Sequence, residues 1–399
     1  MLQRARGLCT ALVFAGSSLA QTTFEVGWQD LYVSNPTGSG SAQIPVRVYY
    51  PATARGLNTL LVPMAGGWPV YVFLHGAGSG SRHYEQPSVE VARHGCVIVL
   101  PDTGQYDSNL LQRDGAALYR SLSDESQRQG SPLRGVIDMN RAAIGGYSMG
   151  GGAALRVVAQ NPGYRAAFAH APTSGNSSGP AVGPSIQVPV GLVVGLGDTT
   201  VGWSSVVNGW YANLRNVSGL RVTYLMNQDA SHVNVIDTPD PSTTTREVYA
   251  RSMRVANGFL AAVLKGDVRG LDAVVGDTAR GEARLVQLYN EVEQPALWYQ
   301  GGTTPGSRGT LTGYSAGPVL PLMVAAGTGA IATPFGTLLL DPYTLVVVGA
   351  PPIGQDRLAR LTIDVPNDPS LAGKTFWFQA LGQSSSGIPR LSTLQPIRL

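Results

Sequence analysis

The chain is poor in the residues that build disulfide, metal and nucleic-acid sites. It has two cysteines in 399 residues, Cys9 and Cys96, and neither sits in a paired zinc-type motif. Its five histidines are not spaced as ligand pairs on a helix or hairpin. Charged residues make up only 13%, the formal net charge is +3, and no run of like charge occurs. That balance argues against a nucleic-acid stripe or an acidic tail. No dinucleotide fingerprint is present, and the glycine-rich stretch His75-Gly76-Ala77-Gly78-Ser79-Gly80 lacks the Lys-Ser/Thr element of a phosphate loop. No cofactor and no nucleic-acid partner are expected. Beyond the N-terminus no apolar run is long enough for a transmembrane helix.

The N-terminus itself reads as an export leader. Arg4 and Arg6 supply a positive start, residues 8–15 a short apolar run, and Ser18-Leu19-Ala20 a small-residue cleavage site. Residues 1–20 are therefore expected to be a signal peptide, with the mature protein secreted to the extracellular or periplasmic space. Cleavage removes Arg4, Arg6 and Cys9, so the formal charge falls to +1 and Cys96 stands alone in a buried-strand run.

Fifty glycines and 27 prolines indicate many turns. Up to about residue 265, continuous apolar runs alternate with helix-like stretches, the signature of an α/β fold with a mostly parallel sheet. Strands are expected at 46–50, 70–74, 96–100, 142–145, 166–169, 190–194 and 222–226, and helices at 86–93, 109–122, 151–160, 206–214 and 244–264. The stretch 301–307, rich in Gly, Thr, Pro and Ser, reads as a linker. Beyond it only short β-type runs occur. The expected organisation is a catalytic domain over 21–300, a linker over 301–307 and a β-sandwich-like accessory domain over 308–399.

The chemistry gathers around Gly146-Tyr147-Ser148-Met149-Gly150. An apolar strand precedes it and a helix can follow, so Ser148 is expected at a sharp strand-to-helix turn with its hydroxyl above the sheet. A serine hydroxyl needs a base. His75, His83, His94 and His170 occupy strand-end, helix-start or helix-end positions, whereas His232 lies in the loop after the last strand of the catalytic domain. That loop opens at the same sheet edge as Ser148, so His232 is expected to be the general base. Asp198, in the loop after the preceding strand, is expected to orient it, with Asp229 as the rival. The chain order Ser, Asp, His suits this fold. Oxyanion donors are expected from the backbone N–H groups of Met149 and Ala77, with Gly78 the neighbouring choice.

These residues resemble the α/β-hydrolase superfamily. Within it they are similar to the branch of bacterial cutinases and polyester hydrolases, dienelactone-hydrolase-like proteins and platelet-activating-factor-acetylhydrolase-like esterases. The resemblance is carried by residues 44–51, 72–76, 92–99 and 146–151, with Asp138 and Arg141 before the nucleophile strand. It implies an α/β-hydrolase fold and a serine carboxylic-ester hydrolase acting through an acyl-enzyme on a small or polymeric ester. A cutinase-like polyester hydrolase or a lipase is the alternative, and an inactive hydrolase fold used for surface adhesion is the non-enzymatic one. The sequence departs from cutinases at three points. The aromatic of the oxyanion loop is replaced within Gly76-Ala77-Gly78, where Tyr84 is the candidate substitute. Thr173 stands where a tryptophan is usual, and the paired C-terminal cysteines are absent. Gly78, Tyr84, Thr173 and Trp203 are the expected substrate contacts. For the C-terminal domain, contact with a polymer or cell surface and a role in secretion both stay open.

Overall fold

The computed structural model describes residues 23–35, 42–160, 163–174, 180–217, 219–292, 295–392 and 394–399. The expected leader, residues 1–20, lies outside the described residues.

A ten-stranded sheet forms the body. Its strands in chain order are β1 (Glu25–Ser34), β2 (Gln43–Ala52), β3 (Gly56–Leu57), β4 (Trp68–Leu74), β5 (Val97–Pro101), β6 (Ile137–Tyr147), β7 (Ala166–His170), β8 (Val190–Gly195), β9 (Leu220–Met226) and β10 (Leu285–Val292). They lie in the order β10-β9-β8-β7-β6-β4-β5-β2-β1-β3. The strands from β9 across to β5 pair in parallel, while β2 joins β5, and β10 joins β9, antiparallel. Every residue of β4, β5 and β8 is buried, which explains their unbroken apolar sequences: both faces are covered. Helices α1 (Glu85–Arg93), α2 (Ser108–Gln127), α3 (Met149–Gln160) and α4 (Thr243–Lys265) supply that cover. Asp107 caps α2 by accepting from the N–H groups of Asn109 and Leu110, and Ser242 caps α4 by accepting from Thr245 N–H. Gly266, in the left-handed conformation, ends α4. The helix expected at 206–214 is a π-helical turn, Ser205–Tyr211. Cys96 is buried in the core.

The stretch 301–307 is a hairpin connection rather than a linker. Strand β11 (Ala296–Gly301) pairs antiparallel with β12 (Arg308–Tyr314) across it, and Gly302 N–H donates to Arg308 O at 3.1 Å. The same Gly/Pro/Ser composition that suits a linker also suits a turn, and only strand pairing separates the two. The C-terminal sheets therefore begin at Ala296. β11 and β12 form a three-stranded sheet with Leu358–Asp364, and a larger sheet is built around Leu322–Ala325 and Thr375–Gln383. Strand alternation divides the side chains of the smaller sheet. Leu297, Leu311 and Ala359 share a core with Leu322 and Phe378 of the larger sheet. Their neighbours Trp298, Tyr314 and Leu358 turn the other way and join Leu271, Val274 and Ala279 of the ten-stranded body. Arg280 Nη2 donates to Asp356 O at 2.6 Å, and Arg360 pairs with Asp277 across the same contact.

The turn between β6 and α3 brings backbone close to backbone. Ser148 has φ of +54°, a region that non-glycine residues rarely enter. A Cβ on Gly146 would sit 2.4 Å from Leu74 O, and one on Gly150 would sit 2.1 Å from the same carbonyl and 2.4 Å from His75 O. Glycine at both positions lets the helix start press against the end of β4. Gly150→Ala is expected to lower stability by about 1–3 kcal/mol, since backbone rather than a flexible side chain must yield. Gly349→Ala, whose new methyl would meet nothing nearer than 3.9 Å, is the control and should stay within about 0.5 kcal/mol. Thermal or urea unfolding of the two variants checks the difference.

Candidate active site

Four loops at the carboxyl edge of the sheet meet around Ser148. They follow β4, β6, β8 and β9, which the parallel order β9-β8-β7-β6-β4 delivers to one side. Ser148 Oγ lies 3.0 Å from His232 Nε2, and His232 Nδ1 lies 2.7 Å from Asp198 Oδ2. The second Asp198 oxygen accepts the N–H groups of Thr200 and Val201, each at 2.9 Å. Burial alone would raise the Asp198 carboxyl. The His232 hydrogen bond and the Val201 and Thr200 N–H groups outweigh it and hold the carboxyl below its ordinary range. A carboxylate so held orients the Nδ1–H tautomer and leaves Nε2 free to accept the serine proton.

Asp229, the rival to Asp198, takes no part in this arrangement. Its carboxylate is half-exposed and pairs with Arg284. His232 is instead held by its own loop. Ser231 N–H donates to Asn234 Oδ1 at 2.7 Å, and Asn234 Nδ2 donates to Asp229 O at 2.9 Å. The Tyr147 ring packs beside the imidazole, with centroids 4.8 Å apart. Neither Asn234 nor Tyr147 stands out in the sequence as a supporting residue. His170 is buried beneath the site against Phe168 and Phe73, its Nδ1 3.0 Å from Ser252 Oγ. Burial depresses it to about 3, against a hydrogen bond with the Val235 backbone, so it is a neutral packing group.

The expected oxyanion donors lie on the head of α3 and on the loop after β4. Met149 heads α3, where an N–H has no intrahelical acceptor and the helix dipole is positive. Gly76 N–H donates to Tyr84 Oη at 2.9 Å, and Gly78 N–H to Gln105 O at 2.8 Å. Between them Ala77 N–H has no acceptor among the described residues, while the Gly78 N–H, the neighbouring choice, is occupied. His75 ties the loop to its neighbour, with Nε2 2.7 Å from Thr103 O. Thr103 in turn donates to Asp114, whose carboxyl burial pushes up.

The expected substrate contacts separate. Tyr84 does not stand on an open wall: its ring is buried against Phe73 and Tyr147, and its hydroxyl braces the oxyanion loop. An aromatic beside a glycine-rich loop can serve either role, and packing decides between them. Gly78 (φ +74°) lets the chain turn under Tyr106. Thr173 adjoins the nucleophile turn, its N–H donating to Ser148 O at 3.0 Å and its carbonyl accepting from the buried Trp210 indole at 3.2 Å. Trp203 is partly exposed on the loop that Asp198 begins. Among the described residues no three His, Cys, Asp or Glu side chains converge as a metal ion would require.

Parts of the chain are similar to known proteins. Cutinase est1 of Thermobifida alba is 40% identical over 92 residues, 22% of this chain and 29% of its own length. Cutinase 2 of Thermobifida cellulosilytica is 37% identical over 109 residues, covering 26% of this chain and 38% of that protein. Cutinase 1 of the same organism is 32% identical over 145 residues, 36% of this chain and 52% of the relative. The chain thus spans from under a third to about half of the length of these curated relatives. Residues 15–248 match the PETase family, described as PET hydrolase-like. That match covers more than half of the chain and takes in Ser148, Asp198 and His232, and the chain belongs to this PET hydrolase-like family of α/β-hydrolases.

Proposed function

We propose that this protein is a secreted serine carboxylic-ester hydrolase working through an acyl-enzyme. The observation that carries the reading is the continuous relay from Ser148 Oγ through His232 to Asp198, at 3.0 and 2.7 Å. Ser148 Oγ attacks the ester carbonyl as His232 Nε2 takes its proton. The N–H groups of Met149 and Ala77 receive the developing oxyanion. His232 then returns the proton to the departing alcohol, and water, activated by the same imidazole, releases the acid. Family membership and the cutinase relatives favour a polyester as one substrate class. Export rests on the leader pattern of residues 1–20.

The C-terminal sheets are read as an accessory β-sandwich that holds the enzyme on an uncharged, water-insoluble polymer. The core shared by the two sheets supports the sandwich. Between Arg308 and Asp356 the only charged residue is Asp341. The same stretch exposes Phe335, Tyr343, Val346, Val347 and Val348, with Tyr343 95% and Val347 62% exposed. A surface so apolar and so nearly uncharged suits a neutral polymer and offers nothing to an anionic one.

Ser148→Ala should reduce kcat on p-nitrophenyl acetate by at least about 10³-fold, and Asp198→Asn by about 10³–10⁴-fold, with KM nearly unchanged. An active Ser148→Ala protein overturns the reading. Because the folded Asp198 carboxyl lies below its unfolded value, its stabilisation is complete above about pH 4. It is lost as pH falls through the folded value. Denaturation of Asp198→Asn should therefore show a weaker loss of stability below about pH 4 than the parent protein. For the accessory sheets, Tyr343→Asp and Val347→Asp should weaken adsorption to an amorphous polyester film while p-nitrophenyl acetate turnover is unchanged. Equal adsorption by parent and variants refutes the anchoring role.

A further inference from the structure

We propose that Tyr106 is a specificity-determining residue, an exposed ring that walls the substrate cleft beside the oxyanion donors. This rests on the ester-hydrolase reading above. Tyr106 lies on the loop between β5 and α2, and its side chain is 77% exposed. The loop is held on both sides. Gly78 N–H reaches Gln105 O at 2.8 Å, His75 Nε2 lies 2.7 Å from Thr103 O, and Asp107 N–H donates to Gly104 O at 3.0 Å before Asp107 caps α2. Tyr106 is therefore presented from fixed backbone.

The ring rests directly on the oxyanion loop. A Cβ at Gly78 would lie 3.0 Å from the Tyr106 hydroxyl oxygen and 3.2–3.3 Å from ring carbons. The tyrosine thus fills the space that a side chain at 78 would take, one residue from the Ala77 N–H. Beside it, between the same two loops, opens a cleft of about 270 Å³ lined by His75, Ser79, Asp102, Thr103 and Gln105. Gln105, the residue before Tyr106, lines that cleft. Sheet order places the loop after β5, which carries Tyr106, and the loop after β8, which carries Trp203, on opposite sides of β6. A preset aromatic face costs little entropy to use and favours a flat group in offset contact. Tyr106 should therefore discriminate flat from flexible groups next to the scissile carbonyl.

The test is steady-state hydrolysis of methyl benzoate and methyl hexanoate by the full chain, Tyr106→Ala and Tyr106→Phe, followed by pH-stat. Tyr106→Ala is expected to raise KM for the benzoate about 3- to 10-fold, with kcat within about 2-fold and the hexanoate unaffected. Tyr106→Phe should keep the parent KM. Unchanged benzoate KM in Tyr106→Ala overturns the proposal, and so does an equal change for both esters or an equal fall in kcat, since either marks a merely structural role. A parent protein inert toward p-nitrophenyl acetate overturns the hydrolase reading and this one with it. An active parent with an indifferent Tyr106→Ala overturns this one alone.

Discussion

The contact between the end of β4 and the start of α3 sets the position of everything at the site. Gly146 and Gly150 let backbone meet backbone at Leu74 and His75, closer than any side chain would permit. That approach fixes Ser148 in its left-handed conformation and sets the head of α3 beside the loop carrying Ala77. Ser148 and the N–H groups of Met149 and Ala77 thus come from two elements locked by one contact. His232 and Asp198 reach the same place because β8 and β9 run parallel to β6 and end at the same edge.

Around this contact lies a layer of residues that do no chemistry themselves. Tyr84 braces Gly76, His75 joins the oxyanion loop to Thr103, Asn234 shapes the histidine loop, and Trp210 holds the Thr173 carbonyl. Their hydrogen bonds go mostly to backbone, which is how a loop-built site keeps a defined geometry. His170 shows the limit of residue type as a guide. It lies beneath the site, yet burial keeps it neutral and away from proton transfer.

The C-terminal sheets extend the same layering outward. The three-stranded sheet is covered on one face by the larger sheet and on the other by the ten-stranded body. The larger sheet leaves to solvent an almost uncharged edge around Tyr343 and Val346, Val347 and Val348. A soluble chain ordinarily protects such an edge with charge, and its bareness here is the reason it is read as a contact surface.

The sequence alone made the parallel sheet legible, because strands buried on both faces must be apolar throughout; 70–74, 166–169 and 190–194 lie within or coincide with β4, β7 and β8. It also singled out Ser148 and His232 as candidates, with Asp198 and its rival Asp229, since the strand-turn-helix pattern and the order of loops are local properties. It did not show β1, β10, β11 or β12, whose polar and apolar residues mix because they serve sheet edges or divide their faces between two cores. It could not separate a linker from a hairpin at 301–307, because turn and linker draw on the same residues. The choice between Asp198 and Asp229, the burial of Tyr84 and the seat of Tyr106 over Gly78 were decided only by tertiary structure. Each depends on which distant backbone a side chain meets, and spacing along the chain carries no record of that.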